Sequence, residues 1–229
     1  MTLIPQQSAA MWHDPATDPP AGFFPPRVTR PVHCAMLAVD IASFGSRDPG
    51  TQRHLRGSLY RIVEDACGAA GLPWPICHHE DRGDGILLIA PPDVSAELLD
   101  PAAAHLRAGL RRHNDLTSNT AKIQLRMAIH AGYIRGDRDG FSGRDLIHLF
   151  RLIDAPQFKT HLAVSRAEFV LITSDYLYNE VLRHGTGLLE PATYQHITVT
   201  IKETHAPAWV WRPDAVPSRS SSTPASKPE

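Results

Sequence analysis

The chain has no apolar run approaching the ~20 residues that a helix needs to cross a bilayer. Its opening residues, Met1-Thr2-Leu3-Ile4-Pro5, lack the basic and apolar regions of a secretory leader. Its three cysteines, Cys34, Cys67 and Cys77, are too few and too irregularly spaced for a disulfide framework. Together these absences lead us to expect a reduced, cytoplasmic protein with no membrane partner. Charge of one sign is missing as well. With 23 Lys+Arg against 24 Asp+Glu the formal net charge is -1, so no global field recruits nucleic acid or anionic lipid. An anionic substrate must therefore be held by metal ions, single cations or backbone amides. Cys77-His78-His79 has no second ligand pair at zinc-finger spacing, and there is no internal repeat.

What is present is a chain of 229 residues, 42% apolar and 21% charged, enough for one domain with a real core. Seven of its 20 prolines fall within residues 1–31, which read as a flexible Pro-rich N-terminus. Residues 213–229 read as a disordered Ser/Pro-rich tail, leaving a folded unit over 32–212. Within it, the apolar run 34–39 predicts a buried strand ending at Asp40. Residues 51–71 predict a helix with Leu55, Leu59, Ile62, Val63 and Cys67 on one face. Residues 75–79 and 85–90 predict a hairpin joined by the turn Glu80-Asp81-Arg82-Gly83-Asp84. A second helix follows over 95–114, an alternating strand over 123–134, a third helix over 143–155, and strands over 169–173, 197–201 and 208–211. The order β-α-β-β-α-β-α with late strands implies an α+β, ferredoxin-like domain, its antiparallel-rich sheet covered by helices on one face.

Two carboxylates stand out in that frame. Asp40 ends a buried strand and Asp84 sits in Gly83-Asp84-Gly85 at a hairpin tip. In a ferredoxin-like sheet these two points are neighbours. With the carbonyl of Ile41 they make an oxygen-rich pocket of the kind magnesium prefers, and the flanking glycines let phosphates approach the backbone. Taken singly, either aspartate is equally a turn former.

The joint pattern resembles the class III adenylyl/guanylyl cyclase domain, over about residues 34–211. Ala38-Val39-Asp40-Ile41-Ala42-Ser43-Phe44 resembles the first metal loop of that family, and Asp81-Arg82-Gly83-Asp84-Gly85 its Gly-Asp hairpin. Ile129-His130-Ala131-Gly132 matches its Ile-His-x-Gly strand, and Gly143 followed by Arg151 its glycine-to-arginine helix. The segments 198–202 and 208–211 are similar to a closing hairpin that carries a phosphate-binding lysine, here Lys202. The resemblance implies Mg²⁺ or Mn²⁺, two ions per site, on Asp40, Ile41 and Asp84. It implies catalytic cations at Arg151 and Lys202, and substrate contacts at Glu80, Gly140, Ile41 and Phe44. It also implies a homodimer with shared active sites, a nucleoside triphosphate substrate, and a cyclic product read by a separate effector.

Two departures matter. The family's ribose-orienting asparagine falls on Ile147, with His148 adjacent but about 100° away around a helix. The two base-selecting positions fall on Glu80 and Gly140. A carboxylate accepts from the amino groups of guanine or cytosine, so GTP or a pyrimidine triphosphate is favoured over ATP, as in the pyrimidine cyclases of antiphage systems. A domain that binds nucleotide or a partner without turnover is the alternative. A palm-polymerase enzyme is disfavoured by the neutral charge.

Overall fold

Strand β1 (Val32–Ile41) is the spine of the molecule, and its side chains divide by parity between two cores. Ala35, Leu37, Val39 and Ile41 enter one buried cluster, and Cys34, Met36 and Ala38 enter another. This is a computed structural model, and it describes residues 30–211 except 138, 166 and 185–186. Apart from Arg30 and Pro31, the stretch expected to be flexible at the N-terminus and the tail expected from 213 lie outside the described residues.

The first core lies under α1 (Pro49–Ala70) and α2 (Leu99–Asp115). The Asp48 carboxylate accepts from the Gly50 and Thr51 amides to start α1, and Gly71, at φ 79°, ends it in the left-handed conformation that favours glycine. The second core lies under α3 (Arg144–Asp154) and α4 (Pro156–Ser165). Helices thus cover both faces of the sheet rather than the one expected. Pro156, just past the third predicted helix, opens α4, because a missing N–H costs nothing in a first turn.

Strands β2 (His78–Asp81), β3 (Gly85–Ile89), β4 (Leu125–Asp137), β6 (Phe169–Ser174), β7 (Tyr194–Ile201) and β8 (Thr204–Trp211) complete the sheet in the order β2-β3-β1-β4-β6-β8-β7, with β5 (Gly140–Ser142) pairing only with β4. The first four positions are the ferredoxin-like order, antiparallel throughout. The later strands extend it through a parallel β4–β6 pair. Short helix α5 (Asp175–Glu180) follows β6.

One predicted strand moves. Residues 74–76 form a 3₁₀ turn around Pro75, which has no N–H to give a ladder, and β2 starts only at His78. Glu80 and Asp81 are therefore strand residues. The turn tightens to Arg82-Gly83-Asp84, with the Arg82 amide donating to the Gly85 carbonyl at 2.9 Å and Gly83 at φ 85°.

Candidate active site

Asp40 follows the even parity of β1 and faces the α3 side of the sheet, flanked by Gly85 of β3 and Arg126 of β4. At Gly85 a side chain is impossible, because a Cβ there would stand 2.0 Å from the Val39 carbonyl oxygen. This close approach brings the β2–β3 turn against the end of β1, and the Ile41 amide donates to the Asp84 carbonyl at 2.9 Å. As the sequence predicts, Asp40 and Asp84 then line one cavity, of about 210 Å³, with Arg82, Phe150 and Asp154 on its wall. The Arg82 guanidinium lies over the Phe150 ring, 4.6 Å from its centroid, and Asp154 pairs with Lys159 at 3.0 Å.

The partner of Asp40 was not foreseen in the sequence pattern. Arg126 Nε donates to Oδ1 at 2.7 Å and Nη2 to Oδ2 at 2.8 Å, a bidentate fork. Both side chains are mostly buried, at 14% and 17% exposure. Burial raises the Asp40 carboxyl above its ordinary range, the Arg126 fork opposes that shift, and the Asp84 charge adds to it. Only the β1–β4 register, which no local motif encodes, could have revealed the pair. The donor set of the cavity, the carboxylates of Asp40 at the end of β1 and Asp84 in the β2–β3 turn, fits a hard divalent cation. Among the described residues no group of three or more His, Cys, Asp or Glu is arranged to hold a metal ion.

The remaining predicted residues divide into groups. Ile41 buries its side chain in the first core and presents only backbone to the turn. Phe44 packs against that same core, on the sheet face opposite Asp40, and its carbonyl already accepts from Arg47 and Gln52. It anchors the loop and does not line the cavity. Glu80 and Gly140 come together: a Cβ on Gly140 would lie 3.8 Å from Glu80 Oε1. That oxygen is 3.0 Å from His78 Nε2, and Arg82 Nη1 is 3.6 Å from the other carboxylate oxygen.

Arg151 and Lys202 both act on the Glu203 carboxylate, and neither lines the cavity of Asp40 and Asp84. Arg151 Nη2 donates to Glu203 at 2.9 Å, in the tight β7–β8 turn where Lys202 adopts φ 51°. Arg151 Nε is buried without a partner. Ile147, Phe150, Arg151 and Asp154 fall on neighbouring positions of one side of α3, and of these Phe150 and Asp154 line the cavity. Ile147 is 51% exposed.

The Ile-His-x-Gly strand proves to be a packing device. His130 is only 4% exposed; Nδ1 shares a 2.7 Å hydrogen bond with Ser174 Oγ, and Nε2 lies 3.7 Å from Asp145. Burial and the neighbouring His148 ring push its pKa down to about 4, so it is neutral at pH 7. A larger cavity, of about 520 Å³, lies at Leu98, Asp100, Leu182 and Leu188. Its buried carboxylate, Asp100, is already satisfied by the Leu188 and Leu189 amides, which leaves the smaller, acidic cavity as the stronger candidate for chemistry.

No protein-family model matches the chain, and no curated protein matches it by sequence. Solved structures do match. The guanylyl cyclase Cya2 superimposes with a TM-score of 0.57 at 16% identity, over 80% of this chain and 91% of that one. An adenylate/guanylate cyclase/hydrolase from Silicibacter pomeroyi gives 0.58 at 21% identity, over 81% and 99%. The guanylate cyclase domain of RhGC from Catenaria anguillulae, solved in complex with GTP, gives 0.52 at 13% identity, over 79% and 96%. At such identities the shared property is the architecture. The chain has the fold of the adenylyl/guanylyl cyclase domains.

Proposed function

We propose that the chain is a nucleotidyl cyclase, converting a nucleoside triphosphate to a 3',5'-cyclic nucleotide and pyrophosphate. The observation that carries this reading is the meeting of Asp40 and Asp84 in one cavity of a cyclase fold. Mg²⁺ or Mn²⁺, two ions per site, held by Asp40, Asp84 and the Ile41 carbonyl, would supply Lewis-acid activation of the 3'-hydroxyl and neutralise phosphate charge.

The chain's own residues do the rest by position and charge. Arg151 and Lys202 bind the phosphoryl oxygens as negative charge grows on them. Because neither lines the cavity of Asp40 and Asp84, we assign them to the site whose carboxylates come from a second copy, giving a homodimer with two shared sites. Glu80 accepts hydrogen bonds from the base, which favours GTP or a pyrimidine triphosphate over ATP, and the space at Gly140 admits the ring beside it. The product would be read by a separate effector. A short cyclase domain with an unusual pair of base-selecting positions is compatible with an antiphage role, tested by phage challenge of cells expressing the chain with and without Asp40→Asn.

Incubating the purified protein with each of the four triphosphates and Mn²⁺ tests the reading. A cyclic product that disappears with Asp40→Asn supports it. Absence of any product while the dimer stays intact would sink it. One observation favours a second reading, a domain that binds nucleotide without turnover: Ile147 offers no hydrogen bond to a ribose. Restoring an asparagine separates the two, since Ile147→Asn should raise kcat about tenfold if a single transition-state hydrogen bond is missing.

A further inference from the structure

The Asp40–Arg126 pair poses a question for the proposed site. A carboxylate held by a guanidinium fork at 2.7 and 2.8 Å has both oxygens engaged, and a divalent cation approaching it meets a fixed positive charge. The two residues face each other across the β1–β4 register, so the fork belongs to the sheet and is not a chance contact of mobile side chains. The guanidinium has a natural alternative acceptor. A phosphate offers the same planar pair of oxygens as a carboxylate, and arginine is suited to either.

We infer that Arg126 is a latch on Asp40: without nucleotide its guanidinium occupies the carboxylate, and the divalent ion enters together with the triphosphate rather than ahead of it. The inference rests on Asp40 being a metal ligand. Two effects of Arg126 oppose each other. It fixes the Asp40 rotamer, which favours ion binding, and it places a positive charge within a few ångströms of the ion, which opposes it. In a mostly buried site the charge dominates, so the net effect is to weaken free-ion binding. The other charges near Asp40 are Asp84, Asp154 with its partner Lys159, and Arg82. An arriving triphosphate supplies the anions that draw Arg126 off Asp40 and bring the cation with them. Arg126 is thus a positioning residue that couples ion binding to nucleotide binding.

The test is a titration of Mn²⁺ followed by the spin-resonance signal of the free ion. It compares the wild-type dimer, Arg126→Gln, Arg126→Lys, and Arg126→Gln combined with Asp40→Asn. Each is measured with and without non-hydrolysable α,β-methylene analogues of GTP and CTP. Without analogue, Arg126→Gln should bind Mn²⁺ about tenfold more tightly than wild type. Arg126→Lys, which keeps charge but loses the fork, should fall between, and Asp40→Asn should abolish the gain. With analogue the gap should narrow. Mn²⁺ binding by Arg126→Gln equal to or weaker than wild type overturns the latch; if that variant does not fold, the same comparison with Arg126→Lys decides. Should wild type bind Mn²⁺ with analogue and neither variant show a gain, the latch alone fails. Should no form bind Mn²⁺ even with analogue, the assignment of Asp40 as a metal ligand fails with it.

Discussion

Gly132 lies directly under the Asp145 carboxylate, and a Cβ at that glycine would stand 2.4 Å from Asp145 Cγ. Asp145 is in the first turn of α3 and accepts from the Tyr133 amide. The glycine of the Ile-His-x-Gly strand therefore sets how closely α3 approaches β4. Gly132→Ala should destabilise the protein by about 1–3 kcal/mol through overpacking, measured as a lower urea midpoint at unchanged slope. In an Asp145→Gly background that cost should shrink, because the carboxylate and the Asp145 Cβ, 2.5 Å away, are both gone.

His130 gives the protein a pH-dependent stability. Its folded pKa is depressed from 6.5 to about 4, with Asp145, His148, His33, Tyr176 and Ser174 around it. Between those values the unfolded chain binds the proton and the folded chain does not. The contribution is therefore fully present above pH 6.5 and is lost as pH falls toward 4, by about 3 kcal/mol in total. Urea unfolding from pH 7.5 to 4 should show a shallower fall in the His130→Gln protein than in wild type. Parallel curves would show that His130 titrates normally.

The contact of Glu80 with the space beside Gly140 should govern the choice of base. Glu80→Ala should collapse the discrimination between the preferred triphosphate and ATP by about tenfold to a hundredfold, since one good base contact contributes ~1–3 kcal/mol. The ratio of kcat/KM values is the readout, and a ratio unchanged by Glu80→Ala would place base reading elsewhere. His78 holds Glu80 at 3.0 Å, so His78→Ala should move the same ratio in the same direction by a smaller factor.

How much of this was legible in the chain depends on the range of the interaction. The run ending at Asp40, the Gly83-Asp84-Gly85 tip and the face of α1 are local patterns, and each appears in the structure where it was read. So is the meeting of Asp40 with Asp84, because a βαββ order dictates which strand ends are neighbours. The Arg126 fork was not legible, since it depends on a register fixed by whole-strand burial. Nor was the place of Phe44, whose sequence position four residues after Asp40 says nothing of the sheet face it packs on. Helix α5 and strand β5 are too short for a period to show, and α4 buries only Phe158 and Leu162, too few to mark an apolar face.

The central claim is that one chain supplies Asp40 and Asp84 to a site whose Arg151 and Lys202 come from another. Mixing inactive Asp40→Asn protein with inactive Arg151→Ala protein tests it most directly. Subunit exchange makes heterodimers in which one site carries both defects and the other carries none. The account predicts recovery of cyclic-nucleotide synthesis to about a quarter of the wild-type rate, from half the dimers each with one intact site. No recovery after demonstrated exchange, or full activity in Asp40→Asn alone, would contradict it.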